Sequence, residues 1–284
     1  MTSTIRIGAG RTTSKRADAG RRSPVSRLLG AAASASQTWL VPLLLVGLWQ
    51  AATSGGLVPG SVLPSPGAVL RTAWDTTRTG ELPANMQTSL WRALAGFAVG
   101  GGIGFGLGLS NGLSSLSHRL TDTSLQMLRN VPHLAMIPLV ILWFGIGEGA
   151  KLFLVALGVF FPIYLNTLHG IRSVDPQLIE MGRSYGMSTP TLFRRVIFPS
   201  ALPSIFVGVR FGLGIMWLTL IVAETIAAQS GIGYMAMQAR EFMQTDIIVM
   251  SILIYALLGK LADWTTTFGE HLCMPWNRRL GSRP

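Results

Sequence analysis

Long apolar segments separated by short polar ones are the feature that most constrains the fold of this 284-residue chain. A helix needs about 20 mostly apolar residues to cross a bilayer, and about six segments approach that length. Charged residues make up only 12% of the chain, whereas soluble domains carry about a quarter. Such a chain either aggregates or enters a membrane. We therefore predict an all-α, polytopic membrane protein with about six transmembrane helices.

The apolar runs place the predicted spans along the chain. In order, they cover residues 39–58, 90–109, a segment that ends with 136–144, and then 152–168, 205–222 and 247–261. Pro132 and Pro138 interrupt the third span. Proline inside a helix removes a backbone hydrogen bond and clashes with the preceding turn. We therefore expect the third span to be kinked or broken.

The distribution of basic residues predicts the orientation in the membrane. Arginine and lysine are concentrated in residues 1–36 and again after the last apolar run. Cytoplasmic flanks of membrane spans are enriched in these residues, so we expect both termini in the cytoplasm. Residues 1–36 are predicted to be a disordered basic tail, 37–270 the transmembrane domain and 271–284 a C-terminal tail. No basic stripe with interleaved aromatic residues indicates nucleic-acid binding.

Residues 175–199 form a polar segment between two apolar spans, and its sequence predicts two short helices. Asp175-Pro176 is a helix start signal, and Gly186 is expected to end the first helix. The sequence Ser188-Thr189-Pro190 opens the second helix, which Pro199 is expected to close. Both helices have an apolar face. That face can fill a groove on a partner protein or lie on lipid headgroups.

Glycines recur at every fourth position of the second predicted span. They are Gly96, Gly100, Gly104, Gly108 and Gly112. Small residues with this spacing let helix backbones approach closely in lipid. A phosphate-binding loop would need the G-x-G-x-x-G pattern after a strand, which is absent. We predict that Gly96, Gly100, Gly104 and Gly108 form a helix-packing surface.

The sequence contains no pattern typical of a catalytic, metal or nucleotide site. The P-loop pattern is absent, because Gly259-Lys260 is followed by Leu261. Cys273 is the single cysteine, so neither an internal disulfide nor a cysteine metal cluster is possible. The histidines are isolated from carboxylates at metal-binding spacing. We expect no catalytic residue, no metal and no cofactor on this chain.

Three charged residues in or near the spans are candidates for a solute pathway. Arg210 lies inside the fifth span, where charge is costly and often functional. It either meets an anionic solute, or it is structural and snorkels or pairs with a buried acid, and we favour the structural interpretation. Glu224 at the outer end of the same span raises the same question, and Arg129 before Pro132 is a further candidate.

The polar segment resembles the cytoplasmic signature of ABC importer permeases, which has a Glu-Ala-Ala start, a glycine four residues later and an Ile-x-Leu-Pro end. The matching positions in this chain are Glu180, Met181, Gly182, Gly186, Val196, Phe198 and Pro199. Gly182 replaces an alanine, which is expected to weaken the first helix by up to about 1 kcal/mol. The resemblance implies that this segment forms coupling helices on an ATPase subunit, with Leu192 also at the contact.

The similarity extends over roughly residues 40–270. Residues 128–146, 207–225 and 239–246 are similar to the aliphatic sulfonate permeases, whose relatives transport taurine, nitrate or bicarbonate. The resemblance implies a type I ABC importer permease fold in the bacterial inner membrane. It also implies a second permease copy, two cytoplasmic ATPase subunits that bind ATP and Mg²⁺, and a periplasmic or lipid-anchored binding protein.

These patterns indicate the permease subunit of an ATP-driven importer of aliphatic sulfonates that works by alternating access. Import of taurine, nitrate or bicarbonate by the same architecture is the nearest alternative. A secondary transporter driven by an ion gradient would need intramembrane acid or histidine relays and inverted repeats, and neither is evident. A membrane scaffold without transport activity gives no reason for a docking segment.

Overall fold

The computed structural model describes residues 40–276, which form helices joined by short turns, with no strand in that range. The N-terminal tail predicted over 1–36 and the end of the predicted C-terminal tail lie outside the described residues. The chain divides into two units between Leu48 and Trp49. Of the first unit, only residues 40–48 are described, and they are helical. All that follows concerns the second unit.

Twelve helical segments follow one another along the described chain. They are α1 (Leu40–Ser54), α2 (Pro66–Arg78), α3 (Glu81–Leu113), α4 (Ser115–Arg129), a 3-10 turn (His133–Met136), α5 (Ile137–Phe144), α6 (Glu148–Arg172), α7 (Pro176–Ser184), α8 (Thr189–Leu192), α9 (Phe198–Ala227), α10 (Ile232–Glu241) and α11 (Thr245–Cys273). A π turn, Phe193–Ile197, joins α8 to α9.

Four helices in residues 40–276 are long and apolar enough to cross a membrane: α3, α6, the continuous helix Thr189–Ile226 and α11. The segments Ser115–Arg129 and His133–Phe144 pass the same test only as a pair, which is bent by 79° at the break between them and forms either a broken fifth span or a re-entrant loop. This bend confirms the break predicted at Pro132. The first predicted span is represented by the shorter apolar helix α1. The described residues thus contain four or five full spans where the sequence predicted about six.

The residues between the second predicted span and the break at Pro132, which include His118 and Arg119, belong to a helix. Ser114 ends α3 in an extended conformation, and its hydroxyl accepts a hydrogen bond from the Ser117 amide at 3.2 Å. This is a helix N-cap, which satisfies an amide that has no partner within the helix. Helix α4 therefore begins directly after α3, and no loop separates the two helices.

Helix α6 packs between α3 and α9, and glycine allows the close approach on both sides. A Cβ atom at Gly100 would overlap the Ala156 backbone. One at Gly104 would lie 2.6 Å from the Phe160 carbonyl oxygen, and one at Gly108 2.8 Å from that of Tyr164. Such distances are too short for any real Cβ contact. The glycine row of α3 therefore fits against residues of α6 that also recur every fourth position.

Gly96 of α3 and Gly208 of α9 also lie where a side chain would prevent the close approach of α6. A Cβ at Gly96 would lie 2.5 Å from Val155 Cγ1, and one at Gly208 of α9 would lie 2.9 Å from the Pro162 carbonyl oxygen. Side chains from the three helices close the core around these contacts, including Val155, Val159, Ile163, Met216 and Leu220. In lipid, this packing substitutes for the hydrophobic effect that drives helices together in water.

Gly100→Ala is expected to destabilise the protein, because the added methyl group meets the rigid backbone of Ala156. Overpacking of this kind costs about 1–3 kcal/mol. Gly102→Ala is the matched control, since a Cβ there meets nothing within 4 Å and alanine favours a helix. The stability of both variants is measured as the free energy of unfolding in mixed micelles. Equal stability of the two variants would contradict the packing described for α3 and α6.

Candidate functional site

The polar segment begins with a helix whose two ends are fixed by local hydrogen bonds. The Asp175 carboxylate accepts from the Gln177 amide at 2.9 Å, and Pro176 occupies the first helical turn. After α7, Gly186 has a φ of +72°, a left-handed conformation that favours glycine. The Met187 amide donates to the Gly182 carbonyl at 3.1 Å, which closes the helix end. Helix α7 thus begins and ends where the sequence predicted.

Gly182 is a packing position within this segment. It is buried, and a Cβ there would lie 2.5 Å from Leu192 Cδ1. The absence of a side chain lets α7 lie directly on α8. The departure from the family's alanine, expected to weaken α7, is therefore matched by a local contact with Leu192.

The same contact corrects the role predicted for Leu192. Its side chain is only 4% exposed, so it packs within the chain and is not available to a partner. Val196 and Phe198 are half-buried. The exposed apolar face lies instead on α7, where Leu178, Met181 and Tyr185 share one side of the helix. Glu180 is also exposed on α7.

Pro199 does not close the second helix, contrary to the prediction. Helix α8 continues through the π turn into α9, and the Phe198 amide donates to the Phe193 carbonyl. Proline lacks an amide hydrogen and its ring clashes with the carbonyl four residues earlier. The wider π turn moves that carbonyl away and lets the helix continue. One helix, Thr189–Ile226, therefore joins the polar segment to a membrane span.

Arg210 is held by acidic residues of α11. Its Nη2 lies 2.9 Å from Glu270 Oε1, and its Nε lies 3.4 Å from Asp263 Oδ1. The Glu270 side chain is 6% exposed, whereas Arg210 and Asp263 are each about two-fifths exposed. These contacts support the interpretation that Arg210 pairs with a buried acid. A position between two carboxylates does not suit the binding of an anionic solute.

Glu224 is completely buried, and both carboxylate oxygens are satisfied within the protein. Ser89 Oγ donates to it at 2.8 Å, Arg92 Nη1 at 2.8 Å, the Gly233 amide at 3.0 Å and Tyr255 Oη at 3.1 Å. A Cβ at Gly231 would overlap the carboxylate. In this conformation Glu224 therefore fixes neighbouring elements to one another and does not face a solute pathway.

Arg92 connects Glu224 to a second acid, Glu148. The Arg92 side chain is 2% exposed, and its Nε and Nη2 each lie 2.6 Å from a Glu148 oxygen. Lys151 Nζ also donates to Glu148 at 2.9 Å. Two cations thus balance two carboxylates at the ends of α3, α6 and α9. This arrangement satisfies the requirement that buried charges be paired and hydrogen-bonded.

Arg92, Ser89 and Lys151 were not among the functional residues predicted from the sequence. A signal was present for Arg92, because it lies inside the predicted span 90–109 as Arg210 lies inside 205–222. No corresponding signal in the sequence identifies the carboxylates that pair with Arg92. Arg92 and Glu224 are separated by 132 residues, and only the packing of α3 against α9 brings them together.

Arg129, the third candidate, lies in the last turn of α4 at the break in the bent span. Its side chain is exposed and lines a cavity of about 320 Å³ together with His133 of the 3-10 turn and Asn166 of α6. Of the three charged candidates, it is therefore the one placed on an open cavity.

Comparison with known proteins identifies the family. Residues 100–269 match the family described as binding-protein-dependent transport system inner membrane component. This chain belongs to that family. The membrane component is 62% identical over 239 residues to a protein of Escherichia coli (strain K12) named as an aliphatic sulfonates transport permease, SsuC, covering 84% of this chain and 91% of that one.

Two further relatives show how the similarity is distributed. A protein of Bacillus subtilis (strain 168) that carries the same name is 42% identical, over 84% of the membrane component and 86% of the relative. The taurine transport system permease protein TauC of Escherichia coli is 38% identical over a shorter region, 58% of the membrane component and 60% of TauC. The membrane component is thus a multi-pass inner membrane protein of a transport system.

Glu224→Gln is expected to destabilise the membrane component strongly, because it leaves Arg92 buried with one carboxylate in place of two. Removing one partner of a buried ion pair costs about 3–5 kcal/mol when the other charge is left uncompensated, and this is the upper bound here because Arg92 keeps its pair with Glu148. Asp263→Asn is the control, since its pair with Arg210 is partly exposed and such pairs contribute about 1 kcal/mol or less. Thermal unfolding in detergent measures the loss of stability in each of the two variants. Similar losses in both variants would contradict the role assigned to the buried pairs.

Proposed function

We propose that this chain is the transmembrane permease subunit of an ATP-driven importer of aliphatic sulfonates. The observation that carries the proposal is the 62% identity to the Escherichia coli protein over nearly the whole of that relative. A relative from Bacillus subtilis with the same name supports it. The structure contributes the physical elements that such a subunit needs, which are a helical membrane domain and an exposed face suited to a partner.

In the proposed complex, two copies of this chain form the pathway and two cytoplasmic ATPase subunits drive it. ATP and Mg²⁺ bind to those subunits, which accords with the absence of a P-loop pattern from this sequence. A periplasmic or lipid-anchored binding protein delivers the solute. Both termini of the chain and the polar segment 175–199 lie on the cytoplasmic side, as the distribution of basic residues suggests.

The exposed face of α7 is the proposed contact with the ATPase. Leu178, Met181 and Tyr185 present apolar side chains at helical spacing, with Tyr185 77% exposed. An amphipathic helix of this kind fits a hydrophobic groove on a partner. Glu180 adds a charge beside that face, and Gly186 sets the angle at which the chain returns towards α8.

The continuous helix offers a route from this contact into the membrane. Helix Thr189–Ile226 has 38 residues, so it is about 57 Å long. A movement of its cytoplasmic end reaches both the α6 contact and the buried Glu224. ATP can favour one of two conformations only if its binding energy differs between them. In our proposal, that difference arises where the ATPases close and move α7 and α8 together.

A second candidate substrate is taurine, which is favoured by the similarity to TauC. Nitrate and bicarbonate remain alternatives within the same architecture. Transport driven by an ion gradient is disfavoured by the pairing of Glu148 and Glu224, because both acids are held by Arg92. A carboxylate that serves as a proton relay has to gain and lose its proton during each cycle.

A strain that lacks this gene is expected to grow on sulfate but not on an aliphatic sulfonate as the only sulfur source, and the gene should restore growth. Gly186→Val should fail to restore it, because a β-branched residue is strained at a φ of +72°. Gly186→Asn is the matched control, since asparagine tolerates the left-handed conformation. Immunoblotting of membranes verifies that both variants are inserted.

Each of the other possible results would contradict one part of the proposal. Dependence on the gene for growth on taurine or nitrate, but not on aliphatic sulfonates, would replace the proposed substrate. Sulfonate uptake that persists when the ATPase gene is deleted would indicate an ion-driven transporter. Full growth with Gly186→Val would remove the coupling role of the polar segment.

A further inference from the structure

The cavity at the break between α4 and α5 combines apolar walls with a few polar groups. Its volume is about 320 Å³, at the lower end of the range of small-molecule sites. Phe161 and Pro162 of α6 and Phe211 of α9 contribute to its apolar lining. Arg129, His133 and Asn166 are its polar side chains, and no carboxylate lines it in the part of the chain that the structure describes.

Arg129 differs from the two arginines inside the spans. Arg92 and Arg210 each lie within 4 Å of two carboxylates. Within residues 40–276, no such pair involves Arg129. Asp122 of the same helix lines an adjoining cavity with Arg129 but lies beyond ion-pair distance. The planar guanidinium of Arg129 therefore keeps its donors for an anion, which it can bind through two parallel hydrogen bonds.

His133 and Asn166 offer further donors to the same space. Asn166 Nδ2 donates one hydrogen to the Pro162 carbonyl at 2.8 Å, which leaves its second amide hydrogen for a ligand. His133 Nε2 lies 3.1 Å from Thr219 Oγ1. When Nε2 accepts the hydroxyl hydrogen, Nδ1 carries the ring proton and is a donor. The cavity thus provides one positive charge and two neutral donors.

We infer that this cavity binds the solute inside the membrane component, with the sulfonate group on Arg129, His133 and Asn166 and the alkyl chain against Phe161 and Phe211. The inference rests on the proposed function and adds the site and its selectivity. One cation balances the single negative charge of a sulfonate. An aminosulfonate such as taurine would bring an ammonium group into a cavity without a carboxylate, where an unpaired charge is costly.

The location also links the cavity to the proposed coupling route. Phe211 and Ile215 lie on α9, which is continuous with α8 and the polar segment. The opposite wall belongs to the break between α4 and the 3-10 turn. Transporters place solute sites at interrupted helices, where backbone irregularity lines a cavity. A movement of α9 relative to this break changes the width of the cavity and so its affinity for the solute.

Uptake by the complete complex in proteoliposomes tests the inference with hexanesulfonate and taurine as probes. Arg129→Gln should reduce hexanesulfonate uptake about tenfold or more, with a raised KM, because a charge-assisted contact is lost. Arg119→Gln, an exposed arginine on the same helix but outside the cavity, should leave uptake unchanged. Asn166→Asp should lower the uptake of both probes, because it replaces a donor to the sulfonate group with a carboxylate that repels it. In the wild-type complex, hexanesulfonate uptake should exceed taurine uptake.

The result that overturns the inference is normal hexanesulfonate uptake by Arg129→Gln in a complex whose wild type transports it. That result leaves the importer function intact. A fall in uptake that only follows reduced assembly with the ATPase would also overturn it, since Arg129 would then be structural. Equal uptake of hexanesulfonate and taurine by the wild-type complex would remove the assigned selectivity, and unchanged uptake in Asn166→Asp would remove Asn166 from the sulfonate site. If the wild-type complex transports no sulfonate, the proposed function fails first and the cavity inference falls with it.

Discussion

The backbone hydrogen bonds of the helix Thr189–Ile226 are the interaction on which the rest of this structure depends. Inside a bilayer, every backbone amide and carbonyl has to find a partner within the protein. Pro199 has no amide hydrogen and so cannot donate a helical hydrogen bond at the start of the membrane span. The π turn Phe193–Ile197 lets the helix continue past it. The second part of the polar segment and the buried Glu224 therefore belong to one continuous helix and are not separate features joined by loops.

The surroundings of this helix divide into rigid and interrupted parts. On one side, glycine contacts hold α9 to α6 and α6 to α3 at backbone distance. At the end near Glu224, the carboxylates bound by Arg92 fix the same helices. On the other side, the bent pair α4–α5 leaves the cavity that contains Arg129. A helix anchored in this way can transmit a displacement to this cavity.

The sequence predicted features that depend on local chemistry. The four-residue glycine spacing predicted the close helix packing, and Asp175 and Gly186 predicted the ends of α7, because each signal acts within one or two turns. It did not predict that Leu192 is covered by Gly182, nor that the helix continues through Pro199. It also did not predict the partners of Arg92, because those pairs depend on which faces of α3, α6 and α9 meet, and no local pattern encodes that rotation.

The side of the membrane on which α7 lies tests the account most directly. In a Cys273→Ser background, which removes the single natural cysteine, and in a strain without the ATPase gene, so that α7 is uncovered, Tyr185→Cys should react with a membrane-impermeant maleimide in inside-out vesicles and not in intact spheroplasts. Trp74 is also exposed, and its helix α2 follows the first predicted span, so alternation of the spans from a cytoplasmic N-terminus places it outside. Trp74→Cys should therefore show the reverse. Labelling of Tyr185→Cys in intact spheroplasts would place α7 outside the cell and contradict its contact with a cytoplasmic ATPase.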